Sequence, residues 1–242
     1  MKKTVLITGA SRGIGRATAL KFKEDYNVII NYNKSEEEAN KLAESINSDG
    51  GSAICIRADI SNFEEVKSMV SKSIKAFDSI DCLINNAAVS SYKLFQDISI
   101  DEWHEAFRVN VDGAFYTSRL VVPQMISRKS GVILNVSSIW GICGASTEVH
   151  YSTTKGAINS MTKALAKELA PSNIRVNAVA PGPTKTDMVC LCKEDEDCLM
   201  AEIPMGRYGR PEEVAELLYF LASDKASYIT GQIISPNGGI VI

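Results

Sequence analysis

The chain has 242 residues, 45% of them hydrophobic and 23% charged, with a net charge of −3. That length holds one sizeable core or at most two small ones, and the composition is that of an ordinary globular protein. There is no basic stripe to suit nucleic acid, and no apolar run reaches the roughly 18 residues that a bilayer span needs. The first residues are basic, then apolar only over Val5–Ile7 before Thr8 and Gly9. Such a run is too short for a secretory leader and predicts a first strand. Further apolar runs predict strands at Val28–Ile30, Ala53–Ile56, Cys82–Ile84, Val132–Leu134, Arg175–Val179 and Gln232–Ile234. Between them, helical patterning covers about 13–24, 35–48, 62–76, 99–127, 150–169 and 211–222. Near-continuous apolar strands alternating with helices predict an α/β fold. The expectation is one doubly wound domain over 1–242, a seven-stranded parallel sheet with helices on both faces. Ligands then bind where strands end.

The six cysteines divide into two groups. Cys55, Cys82 and Cys143 lie in apolar or small-residue surroundings and are expected to be buried free thiols in a reducing cytoplasm. Cys190, Cys192 and Cys198 lie in an acidic segment, with no histidine near and no zinc-type spacing, so no metal is expected.

The turn after the first strand carries Gly9, Ser11, Arg12, Gly13, Ile14 and Gly15. Its glycines allow a tight turn and close approach to a ligand, and the helix that follows favours a diphosphate at its N-terminus. The spacing is three residues and then one, unlike the commoner G-x-G-x-x-G. After the second strand come Asn31 and Lys34, with no acid between them to hold a ribose 2′-hydroxyl. Arg12 and Lys34 suit a 2′-phosphate instead, which predicts NADP(H). Asp59 and Ile60 follow the third strand, where the aspartate either accepts from the adenine amino group or caps the next helix. Asn86 and Ala87 follow the fourth, where small residues let backbone lie against the cofactor.

Tyr151 and Lys155 are four residues apart, on one face of a helix. A cation beside a phenol favours the phenolate and tunes it for proton transfer.

Together these segments, with Asn85–Ala88, Asn110, Ser137–Ser138, Pro181 and Gly182, resemble the short-chain dehydrogenase/reductase family over essentially the whole chain. The resemblance implies a Rossmann domain in which Tyr151 is the general acid and Lys155 lowers its pKa and binds the nicotinamide ribose. Ser138 would hold the substrate carbonyl, and Asn110, placed in a long fourth helix, would hold a water in a proton relay. Pro181, Gly182, Thr184 and Thr186 would contact the cofactor, and a segment of about 184–203 would form a substrate lid. A homotetramer built on the long central helices is expected.

Within the family the chain is most similar to the 3-oxoacyl-acyl-carrier-protein reductases, notably over Ile203–Val214 and Tyr228–Gly239. It departs from them at Ala88, over Val89–Leu94 and at Ser172. The acidic run Lys193–Asp197 is either a solvated surface or unfavourable to an acidic carrier. Ser138–Gly141 with Gly144–Tyr151 is also similar to reductases of an aminopentanone modification on elongation factor P, in which Glu148 would meet a substrate amine. Other ketone or hydroxysteroid substrates, and a binding module without catalysis, are the remaining alternatives. Trp140, Glu148 and His150 are the expected substrate-pocket residues, although Trp140 and His150 also fit packing roles.

Overall fold

A computed structural model describes residues 2–186 and 193–242; for Lys193 and Glu194 only the backbone is described. Seven strands form one all-parallel sheet in the order β3-β2-β1-β4-β5-β6-β7. They are β1 (Lys3–Ile7), β2 (Tyr26–Tyr32), β3 (Ser52–Arg57), β4 (Cys82–Asn85), β5 (Gly131–Val136), β6 (Ile174–Val179) and β7 (Ile233–Ile234). The order reverses between β1 and β4, and the crevice at their carboxyl ends is where an open α/β sheet takes its ligand.

Side-chain alternation along each strand divides the core in two. Val5, Ile7, Val28 and Ile30 face α1 (Gly13–Phe22), α2 (Glu36–Ser48) and α9 (Pro211–Ala222), through Phe22, Leu42, Ile46 and Leu218. Leu6, Ile29, Leu83 and Ile133 face α3 (Phe63–Phe77), α5 (Gly113–Arg128) and α7 (Val149–Leu169), through Met69, Val121, Met125 and Leu169. Each such fully buried aliphatic side chain contributes about 1.5–3 kcal/mol.

One helix boundary differs from expectation. The patterned stretch 99–127 is two helices, α4 (Ile100–Phe107) and α5, joined by a wide π turn at Arg108–Asp112. The apolar spacing runs through the turn, so periodicity alone does not mark it. Ser99 and Glu102 form a reciprocal cap that fixes where α4 begins. A short α6 (Trp140–Cys143) follows β5, and α8 (Lys193–Glu202) follows β6. Cys143 on α6 is exposed and Cys55 half-buried, so of the first three cysteines only Cys82 is a fully buried thiol. Cys190 and Cys192 lie outside the described residues. No helix among the described residues is long and apolar enough to cross a membrane.

Candidate active site

A cleft of about 1280 Å³ opens at the carboxyl ends of the strands. That exceeds an ordinary small-molecule pocket, leaving room for a dinucleotide and a second molecule. It is lined by Gly9, Ser11, Arg12, Gly13 and Ile14 of the turn after β1, by Asn86, Ala87 and Ser138, and by Trp140, Glu148 and Tyr151. Lys155, Pro181, Gly182, Thr184 and Thr186 also line it, as do Asp195, Cys198, Leu199 and Glu202. The described part of the expected lid therefore faces the cleft, as α8.

The residues at the first turn fit a diphosphate. Arg12 has extended backbone and gives α1 no side-chain cap, and the first turn of α1 has no acidic residue. Its N–H groups are open to an anion. Gly13 has φ +54, and a Cβ there would lie 3.4 Å from the Thr186 methyl. Gly15 does not line the cleft; a Cβ on it would come 2.5 Å from the Gly9 carbonyl oxygen, so it serves the packing of α1 against the turn. Asn33, Lys34, Asp59 and Ile60, after β2 and β3, also line the cleft. Asp59 does not cap α3. Asn62 does, accepting from the N–H groups of Glu64 and Glu65, while Asp59 accepts from Ser61. Burial would raise the Asp59 carboxyl, but hydrogen bonds from Ser61 and Asn33, with Lys34 near, hold it below its ordinary value.

Asn31 lines the cleft, and its side chain is buried, accepting from Gly9 N–H (3.2 Å) while donating to the Ile56 and Ala58 carbonyls. It fixes the glycine turn against β3.

At the other end, Tyr151 and Lys155 lie on the first two turns of α7, with the lysine Nζ 5.5 Å from the tyrosine ring centroid. Lys155 Nζ donates to the Val136 carbonyl at the end of β5 (2.7 Å). Burial lowers the Lys155 ammonium to about 8. Burial also pushes the Tyr151 phenol well above its ordinary value, reinforced by the Glu148 carboxylate, while the Ser138 hydroxyl pulls the other way. The expected lowering of Tyr151 by Lys155 is not seen: burial and Glu148 raise the phenol, and only the Ser138 hydrogen bond lowers it. The phenol is therefore protonated at neutral pH, as a proton donor must be, although raising it makes it a weaker acid.

Asn110, the expected holder of a relay water, is buried at the π turn, outside the cleft lining. Its side chain accepts from Val89 N–H (2.8 Å) and donates to the Val89 carbonyl (2.9 Å) and to Thr154 Oγ1 (3.0 Å). It ties the loop after β4 to α7. Ser138 Oγ accepts from the Trp140 N–H, which starts α6 beside Tyr151. The structure also brings in Gly141, which the sequence reading passed over: Asn159 donates to its carbonyl (2.9 Å), seating α6 on α7.

Of the expected substrate-pocket residues, Trp140 and Glu148 line the cleft and His150 does not. His150 turns to Ser91 and is buried. Glu148 accepts from Ser90 Oγ (2.7 Å), and burial raises its carboxyl against hydrogen bonds from Ser90 and Trp140. Among the described residues no three His, Cys, Asp or Glu side chains gather as a metal site.

Comparison with known proteins agrees with this geometry. The family model described as Enoyl-(Acyl carrier protein) reductase matches residues 9–241. The chain is 40% identical over 242 residues to the 3-oxoacyl-acyl-carrier-protein reductase FabG of Staphylococcus aureus strain Mu50, covering 99% of this chain and 98% of the relative. It is 39% identical to the reductase of that name from Thermotoga maritima over 241 residues, 99% of this chain and 98% of the relative. For the one from Aquifex aeolicus the identity is 41% over 240 residues, 98% of this chain and 97% of the relative. The glycine turn, the Ser138–Tyr151–Lys155 grouping and this full-length likeness have one meaning: the chain is an oxidoreductase of the short-chain dehydrogenase/reductase family, which works with a nicotinamide cofactor.

Proposed function

We propose that the chain is one Rossmann domain that reduces a ketone to a secondary alcohol with NADPH. The observation that carries this is the meeting of Ser138, Tyr151 and Lys155 in the same cleft as the open N-terminus of α1. A bound nicotinamide supplies the hydride. The residues of the chain do the rest. Ser138 and Tyr151 present two hydroxyls to the carbonyl oxygen and stabilise the charge that develops there. Tyr151, held protonated by burial, gives its proton to that oxygen. Lys155 is positioned to bind the ribose and to support the phenolate that remains. Arg12 and Lys34 select the 2′-phosphate.

The first substrate reading is a 3-oxoacyl thioester on acyl carrier protein, supported by the names of the relatives. A second reading rests on Glu148. A buried carboxylate on the substrate wall, tied to Ser90 and raised by desolvation, is relieved by a cation, which favours a ketone bearing an amine, such as an aminopentanone modification on elongation factor P. Asp195 and Glu202 on α8 add to that acidity. By resemblance to the 3-oxoacyl-acyl-carrier-protein reductases, Arg128 and Lys129 fit one carrier-docking position while Ser172 occupies the other, and Arg128 is paired with Asp81. A homotetramer in the cytoplasm accompanies either reading.

The test is NADPH oxidation with acetoacetyl-carrier protein, acetoacetyl-CoA and an amino-ketone. Tyr151→Phe must abolish turnover on whichever substrate works; undiminished rates would leave a cofactor-binding module without this catalysis. Glu148→Gln is expected to spare the thioesters and to weaken the amino-ketone; failure of both thioesters removes the fatty-acyl reading.

A further inference from the structure

The loop after β4 and the start of α7 are joined by a ladder of bonds that the reaction itself does not require. Ser90 Oγ donates to Glu148 (2.7 Å), Ser91 Oγ meets His150 Nε2 (3.0 Å), and Lys93 N–H donates to the Thr147 carbonyl (2.8 Å). Asn110 holds Val89 at both its N–H and its carbonyl, so four residues of five in 89–93 are fastened. The far side of the loop is held too, by Lys93 Nζ on Glu102 of α4 (2.5 Å). Thr147 sits at the middle of this ladder with φ +63, a left-handed conformation that a β-branched residue adopts only when its surroundings impose it. The ladder reaches the residue next to Tyr151. His150 is 2% exposed, and its Nδ1 has no hydrogen-bond partner among the described residues.

We propose that the Ser91–His150 pair is a positioning latch, closed while His150 is neutral, that sets Tyr151 by holding the first turn of α7 against the loop after β4. The proposal rests on the ketone-reductase reading. With the neutral ring carrying its proton on Nδ1, Ser91 Oγ–H donates to the Nε2 lone pair. Protonation puts an N–H at Nε2, so the Ser91 hydroxyl can no longer donate there and the buried ring cation has no acceptor at Nδ1. The charges that face the ring are Lys93 on the loop and Glu102 on α4, which are paired with each other; the ring itself is held below its ordinary value chiefly by burial. Acid therefore opens the latch.

The experiment combines kinetics with NMR. Ser91→Ala and His150→Ala are expected to lower kcat about five- to tenfold, the worth of one net hydrogen bond, with KM for NADPH within about twofold. Ser91→Thr, which keeps the hydroxyl, restores kcat. His150→Gln places an amide nitrogen near Nε2 without titrating, so kcat at neutral pH is kept and the fall of kcat toward acid is removed. In the cofactor-free protein, the His150 imidazole titrates below the ordinary range, and Ser91→Ala moves it upward. Unchanged kcat in both alanine variants, an unchanged acid limb in His150→Gln, or an imidazole titration indifferent to Ser91→Ala would each overturn the latch. Absence of turnover by wild type on every ketone would overturn the reaction reading instead, and the NMR titration would still decide the latch.

Discussion

Gly141 lies directly on the backbone of Lys155. A Cβ built at Gly141 would come 2.7 Å from the Lys155 carbonyl carbon and 2.8 Å from its Cβ. The short helix after β5 and the long helix that carries Tyr151 and Lys155 are thus in contact through a position with no side chain. Alanine would favour α6 by about 1 kcal/mol in helix propensity, but overpacking against a rigid backbone costs about 1–3 kcal/mol. The clash wins, and it displaces Lys155. Gly141→Ala is expected to lower kcat/KM about tenfold or more, which steady-state NADPH oxidation measures, with a fall in Tm of a few degrees.

Lys155, proposed to support the proton donor, is buried at a cost. Its folded pKa of about 8 is below the ordinary 10.5, so between those values the unfolded chain binds the extra proton. Stability from this group is present above 10.5 and is lost as pH falls through about 8. At neutral pH the charged, buried ammonium is a net burden. Lys155→Met keeps the volume, removes that burden of up to roughly 3 kcal/mol, and loses the bond to Val136 worth about 1 kcal/mol. The expected result is a higher Tm at pH 7 for the cofactor-free protein, with turnover abolished. Thermal melts at pH 7 and pH 10 check it, because the advantage should shrink at the higher pH.

Cofactor choice follows the glycine turn. Arg12→Ala is expected to raise KM for NADPH about tenfold to a hundredfold, the worth of a charge-assisted hydrogen bond, and to leave KM for NADH nearly unchanged. Lys34→Ala should act in the same direction and less strongly. Parallel titrations with the two cofactors decide it; equal loss with both would place Arg12 at the diphosphate.

Arg175 serves stability alone. From β6 it donates to the Leu221 carbonyl (2.7 Å), the Ala222 carbonyl (3.4 Å) and the Ser223 carbonyl (3.1 Å), closing the end of α9. Arg175→Ala leaves those carbonyls without it and should cost about 2–4 kcal/mol. Urea denaturation measures that cost, and kcat of the folded fraction should stay at the wild-type value.

The seven strands were legible because a parallel sheet covered on both faces demands apolar residues at nearly every position. The glycine turn and the Tyr151–Lys155 pair were legible because backbone approach and helical spacing leave local marks. The π turn was not, since its apolar spacing runs through from α4 to α5. The structural bonds of Asn31 and Asn110 were not legible either: one side chain holds the glycine turn, the other Val89 and Thr154. Those partners are 21 to 44 residues away, beyond any local pattern.

What the sequence determined by itself was the order of strands and helices, the glycine turn after β1 and the Tyr151–Lys155 pair proposed as proton donor and support, because each depends on neighbours within a few residues. What only the tertiary structure decided was the setting of that donor. Burial holds Tyr151 protonated against the pull of the Ser138 hydrogen bond, Gly141 brings α6 onto the lysine, and Ser91 takes His150 away from the cleft. Those depend on desolvation and on contacts between distant segments, which exist only once the chain has closed around them.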